Sequence, residues 1–89
     1  MYEVRLSKTY KKKAVKFFKK HPNLYDQYSK VLQLLQTNPH HPSLRLHKLK
    51  GDLSEYHSVS LNMKYRILLD FIIKEDVIIL IDIGGHELY

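Results

Sequence analysis

The chain has 89 residues and a basic balance, with 15 Lys and Arg against 9 Asp and Glu for a formal net charge of +6. It has no Cys, which excludes a disulfide framework and Cys-ligated zinc. Its length sets one domain, residues 1–89, with a small core. No apolar run is long enough to span a membrane, and Met1-Tyr2-Glu3-Val4-Arg5-Leu6 lacks the basic-then-apolar order of a signal peptide. A cytoplasmic protein with no membrane partner is expected. The charge excess suits a polyanionic partner, nucleic acid or an acidic protein, unless it serves solubility alone.

Tyr2, Val4 and Leu6 alternate with Glu3 and Arg5, which predicts a short first strand. Ser7 is placed to cap a helix from Lys8 to about Lys20. Tyr10, Ala14, Phe17 and Phe18 make its apolar face. Lys8, Lys11, Lys12, Lys13, Lys16, Lys19 and Lys20 cover the rest, either as a solvated face or as a surface that tracks phosphates. His21-Pro22-Asn23 breaks that helix. Asn23 is the expected cap of a second one, running to about Gln36, with Leu24, Tyr28, Val31, Leu32 and Leu35 facing inward. The short connection makes the two an antiparallel hairpin.

Thr37-Asn38-Pro39 ends the second helix, and His40-His41-Pro42 is too Pro-rich to start another. Leu44, Leu46 and Leu49 can pin the next stretch to the core, leaving Arg45, His47, Lys48 and Lys50 to face outward together. Gly51-Asp52 marks a turn. Val59 and Leu61 alternate with Ser58, Ser60 and Asn62, a strand with one buried face. Tyr65 to Ile73 is apolar and β-prone, interrupted by Arg66 and Asp70. Val77 to Ile83 is nearly all β-branched, as a central strand buried on both faces would be. The tail Gly84-Gly85-His86-Glu87-Leu88-Tyr89 has a flexible Gly pair that presents a His and a Tyr from a rigid strand, as a site would. The expected fold is α+β, in the order β-α-α-β-β-β. The helix hairpin packs on one face of a small, mainly antiparallel sheet, and the other face is free to work.

Six histidines invite a metal reading, but no H-x-x-x-H lies on a helix and no carboxylate has ligand spacing beside His40-His41. No metal and no cofactor are expected. There is no P-loop, dinucleotide glycine pattern or nucleophile elbow. What remains is an inventory for acid–base chemistry on a phosphate. Arg66 lies inside an apolar strand, where a charge is costly unless it serves an open face or a partner. It can clamp a phosphate bidentately and stabilise charge in a transition state, or pair with Asp82 or Asp70. His86 can titrate near neutral pH as a general acid or base, with His47 and His57 as further proton-transfer groups. Lys48, Lys50 and Lys64 suit backbone binding. Tyr65, Tyr56 or Tyr89 can stack on a splayed base. Together these groups fit metal-free RNA cleavage, in which the 2′-hydroxyl attacks the adjacent phosphorus.

Three blocks in this order, His47-Lys48-Leu49-Lys50-Gly51, Lys64-Tyr65-Arg66-Ile67-Leu68 and Ile81 to Tyr89, resemble the RelE/ParE superfamily of bacterial type II toxins. The similarity covers essentially the whole chain and is greatest to the RelE/YafQ-like messenger-RNA interferases. The resemblance implies a small cytosolic toxin that enters the ribosomal A site and cuts the messenger there. It also implies a cognate antitoxin that masks the basic face, with operator DNA a partner only of the toxin–antitoxin complex. Arg66 matches the strand arginine that binds the scissile phosphate. His47 matches the histidine opening the H-x-L-x-G block. His86 matches the C-terminal histidine that acts as general acid, and Tyr89 the terminal aromatic. The RNA-binding set is then Arg45, Lys48, Lys50, Tyr65 and Tyr89. YafQ-like members carry a further strand histidine and a nearby aspartate where this chain has Ser60 and Lys64. RelE uses lysines where it has Ser58, Ser60 and Asn62. The general base is therefore open among His57, His47 and Lys64. The same fold also serves ParE-like poisons of DNA gyrase that hydrolyse no RNA, and a degenerate toxin kept only as an antitoxin partner.

Overall fold

Ser7 couples the first strand to the helix after it. Its Oγ accepts from the Tyr10 N–H at 3.1 Å, capping the helix as expected, and donates to the Leu80 carbonyl at 3.2 Å. The helix start is thereby tied to the last strand. The computed structural model describes residues 1–72 and 75–85, the Ile72 side chain aside. His86 and Tyr89 lie outside them. The elements are β1 (Glu3–Leu6), α1 (Lys8–Lys20), α2 (Tyr25–Thr37), β2 (His47–Lys48), β3 (His57–Ser60), β4 (Arg66–Ile72) and β5 (Val77–Gly84). Two helices pack on a mixed sheet of order β1-β5-β4-β3-β2, in which β1 runs parallel to β5 and the other pairs are antiparallel.

Three details differ from the sequence reading, one being that β5 is not buried on both faces, because Ile79 and Ile81 are only half-buried. The two-residue strand β2 is added to the expected order, because His47 and Lys48 are too few to show a period of their own. Asn23 caps nothing. Pro22 opens a 3₁₀ turn, Pro22–Leu24, that runs straight into α2 and takes Asn23 into its interior.

The core lies between the hairpin and one sheet face. Tyr10 from α1 and Tyr28, Val31 and Leu35 from α2 meet Val59, Ile67, Leu69, Ile78, Leu80 and Ile83 from the strands. The Tyr10 hydroxyl donates to the Tyr28 hydroxyl at 2.9 Å inside this core. Burial pushes both phenols up from their ordinary value, Tyr10 the further. Ile79 and Ile81 of β5 are only half-buried, since α1 and α2 both pack on the other face. The β3–β4 turn is built on Asn62, whose Oδ1 accepts from the Lys64 and Tyr65 N–H groups at 2.9 and 2.8 Å. That turn sets the register that places Arg66.

Candidate active site

Strand register decides which side chains meet. Arg66 lies opposite Ser60 and Gly84, and Ser58 lies opposite His47 and Leu68. Opposed residues of an antiparallel pair point to the same face. His47, Ser58, Ser60 and Arg66 therefore share the face away from the helices. There the Arg66 Nε donates to the Ser58 Oγ at 3.0 Å, and one Nη donates to the Arg45 carbonyl at 3.1 Å. The same Nη lies 3.2 Å from the His47 Nδ1, and the His47 Nε2 lies 3.5 Å from the Ser58 Oγ. Arg45 has a φ of 49°, a left-handed conformation that few non-glycine residues adopt. It ends a 3₁₀ turn, Pro42–Leu44, that the His41 side chain caps.

Every acceptor on Arg66 among the described residues is neutral. Neither carboxylate that the sequence offered takes it. Asp82 pairs instead with Lys13 at 2.8 Å and accepts from the Ile83 N–H. A guanidinium held on neutral acceptors keeps its charge for an incoming anion. The geometry also makes the state of His47 consequential. Arg66 has no acceptor to offer, so its contact with the His47 Nδ1 is a hydrogen bond only when that nitrogen carries no proton. The same Nδ1 is 3.3 Å from the Arg45 carbonyl, which only an Nδ1–H can satisfy. The two contacts belong to different proton positions.

The other candidates divide between the faces. Lys48 pairs with His57, and His57 with Leu69 of the core, so both lie opposite His47 and Arg66. The His57 ring packs 5.8 Å from the Phe71 ring, its Nδ1 buried without a hydrogen-bond partner among the described residues. Burial first, then the charge of Lys48, hold its pKa below the ordinary histidine value. Arg45 and Lys50 are exposed. Among the described residues, no three His, Asp or Glu side chains are grouped so as to hold a metal ion.

On the helix side of the sheet runs a groove of about 650 Å³, between the second half of α1 and the ends of β4 and β5. Lys13, Lys16, Lys20 and Lys64 line it with Asp82, over a wall of Phe17, His21 and Tyr65. Lys64 and Tyr65 stand out in the sequence, but their grouping with the α1 lysines does not, nor does Ser58 as the side chain that holds Arg66. The one signal for Ser58 is its alternation with Val59, which puts it on the uncovered face.

No protein-family model matches the chain, and no curated protein matches it by sequence. Solved structures match it over nearly its whole length. YafQ from E. coli superposes with a TM-score of 0.79 at 16% identity, covering 99% of this chain and 97% of its own. A metal-bound toxin from Helicobacter pylori has a TM-score of 0.79 at 26% identity, with all of both chains covered. The E. coli DinJ–YafQ toxin–antitoxin complex gives 0.76 at 19% identity, over 98% of this chain and 94% of the other. The fold is that of the RelE/ParE toxins. Within a RelE/ParE-type sheet, the Arg66 cluster occupies the face that the helices leave open. Among the described residues, no helix is long and apolar enough to cross a membrane.

Proposed function

We propose that this chain is the toxin of a type II toxin–antitoxin pair and cleaves messenger RNA in the ribosomal A site by metal-free acid–base chemistry. The observation that carries the reading is Arg66, held on the uncovered face by Ser58, His47 and the Arg45 carbonyl with no carboxylate pairing it among the described residues. A base removes the 2′-hydroxyl proton, and the 2′-oxygen attacks the adjacent phosphorus. Arg66 stabilises the charge that builds on the non-bridging oxygens. The 5′-oxygen leaves with a proton from the acid. The products are a 2′,3′-cyclic phosphate and a 5′-hydroxyl. His86 is the proposed acid. Of the three candidate bases, His47 is favoured by its position 3.2 Å from Arg66, because His57 lies on the opposite face and Lys64 in the turn beyond β3. Arg45, Lys50, Tyr65 and Tyr89 are assigned to RNA binding, with Lys48 at the margin of the other face.

The antitoxin partner follows the same reading. The outer side of the hairpin carries an apolar groove of about 460 Å³, lined by Leu6, Ala14, Val15, Phe18 and Tyr25 beside Lys11. An amphipathic antitoxin helix with acidic flanks fits that surface, and salt should slow its association.

The deciding experiment expresses wild type, Arg66→Ala and His86→Ala separately in a bacterial host and maps messenger 5′ ends soon after induction. Codon-phased cuts with wild type, absent from both variants, are expected. Growth arrest with intact messenger and a DNA-damage response would replace this reading with that of a gyrase poison. No arrest at all would leave a degenerate antitoxin partner.

A further inference from the structure

We propose that the groove between α1 and the ends of β4 and β5 binds a single-stranded nucleotide next to the cleavage point, its phosphates on the lysines and its base against the aromatic wall. This rests on the RNA-cutting reading for its biological ligand, but the binding itself does not depend on cleavage. Three observations converge on it. The first is charge. Lys13, Lys16, Lys20 and Lys64 face one volume that, among the described residues, holds a single carboxylate, Asp82, and Lys13 already neutralises that group at 2.8 Å. Among the described residues the remaining positive charge has no acidic partner, as a phosphate-tracking channel requires.

The second is the wall. Phe17, His21 and Tyr65 pack on one another with ring centroids 4.6, 5.0 and 4.8 Å apart. Mutual packing fixes their orientation, so a base meets a rigid aromatic surface and loses little entropy in ordering it. A solvated lysine face has no need of such a wall. An acidic peptide would use the lysines and leave the rings idle.

The third is position. Tyr65 immediately precedes Arg66 and turns to the helix side as Arg66 turns away from it, and Gly84, which lines the groove, is the register partner of Arg66. β1 stops pairing at Leu80, so the end of β5 is flanked by α1 in place of a strand. An RNA strand whose scissile phosphate sits on Arg66 reaches the groove by passing over the ends of β4 and β5 to the helix side, where Tyr65 packs on Phe17 and His21. The volume of about 650 Å³ falls within the roughly 300–1,000 Å³ of ordinary ligand pockets.

The test is fluorescence-anisotropy titration of the full chain with a labelled 2′-deoxy octanucleotide, which cannot undergo 2′-hydroxyl cleavage. An abasic octamer of equal charge and an oligo-glutamate peptide are the comparison probes. Wild type should bind the normal octamer about tenfold more tightly than the abasic one, the worth of one stacked base. Lys16→Ala/Lys20→Ala should weaken binding and flatten the log–log salt dependence by roughly 1.4, or about 0.7 for each phosphate that is no longer neutralised. Lys8→Ala/Lys12→Ala, on the same helix but outside the groove, should change the slope little. Tyr65→Leu should erase the preference for the base-bearing octamer and keep the salt slope. Equal binding of normal and abasic octamers by wild type would overturn the proposal, as would equal effects of the two lysine pairs. Tighter binding of the peptide would reassign the groove to an acidic protein segment. Messenger mapping is read separately, so a protein that binds the octamer in this pattern but cuts nothing sinks the nuclease reading and leaves the groove standing.

Discussion

The two faces of strand β3 are built from neighbouring residues and serve opposite ends. Val59 turns inward and is fully buried against Ile67 and the helices. Ser58, one residue earlier, turns to the other face and takes the Nε of Arg66. The same division runs across the strand pair, with Leu69 in the core and Arg66 outside it. The covered face is mainly apolar, with the Tyr10 and Tyr28 hydroxyls paired inside it and His57 at its margin. The uncovered face holds a cation whose acceptors among the described residues are neutral. Alternation along a strand thus lets stability and candidate chemistry sit one residue apart, with little need to compromise either.

Substitutions on the two faces should separate cleanly. On the proposed reading, Arg66→Ala should slow messenger cleavage by about 100- to 1,000-fold, as loss of a transition-state donor does. Its unfolding free energy should change by less than about 1 kcal/mol, the scale of an ordinary hydrogen bond. Leu69→Ala should do the reverse. Deleting a fully buried leucine side chain costs about 3 kcal/mol, visible as a lower urea midpoint, while the folded fraction cuts at the wild-type rate. Ser58→Ala is the intermediate case. It removes the acceptor on Nε, so the guanidinium keeps only the partners at its Nη. Cleavage should fall about tenfold in kcat with KM little changed, as expected for a group that orients another. A melting temperature that drops by many degrees in Ser58→Ala would show that the uncovered face carries stability after all, and the comparison would break.

How much of this division is legible in the sequence depends on range. The helices and the core residues of the last two strands are legible because apolar side chains recur at the period of the element. Arg66 is legible because a guanidinium amid Tyr65, Ile67, Leu68 and Leu69 has no bland explanation. Its acceptors are not. Ser58 and the Arg45 carbonyl reach it through the register of β2, β3 and β4, which the Asn62 turn sets and which no spacing rule encodes. The groove is hidden for the same reason, since Lys13, Lys16 and Lys20 approach Tyr65 only through the packing of α1 on β5. Histidine count misleads in the other direction. Of the residues that looked alike, His47 joins Arg66, His57 turns to the core face, and His41 caps a turn.

The tyrosine pair offers a smaller test of the covered face. Tyr10→Phe leaves the Tyr28 hydroxyl buried without its donor and should cost about 1 kcal/mol. Replacing both by Phe removes the unpaired group, so the double variant should recover most of that loss. Chemical denaturation of the four proteins closes the cycle. Additive losses would mean that the two hydroxyls do not depend on each other, contrary to their 2.9 Å contact.

The smallest expected effect is the pH response of His57. Its folded pKa lies below the ordinary value of 6.5 because burial, then Lys48, disfavour the imidazolium. Below that value the unfolded chain therefore binds more protons than the folded one. The contribution to stability is complete above about pH 6.5 and declines as the pH falls through the folded pKa, after which it is flat. Melting temperatures of wild type should consequently fall more between pH 7.5 and pH 5 than those of His57→Gln, by a small margin because the ring is only partly buried. Lys48→Gln should shrink the same margin, since it removes the second cause. Messenger cleavage by His57→Gln at pH 7.5 should match wild type, because the ring faces away from Arg66. A large loss of cleavage with an unchanged pH response would instead make His57 the general base and join the two faces into one site.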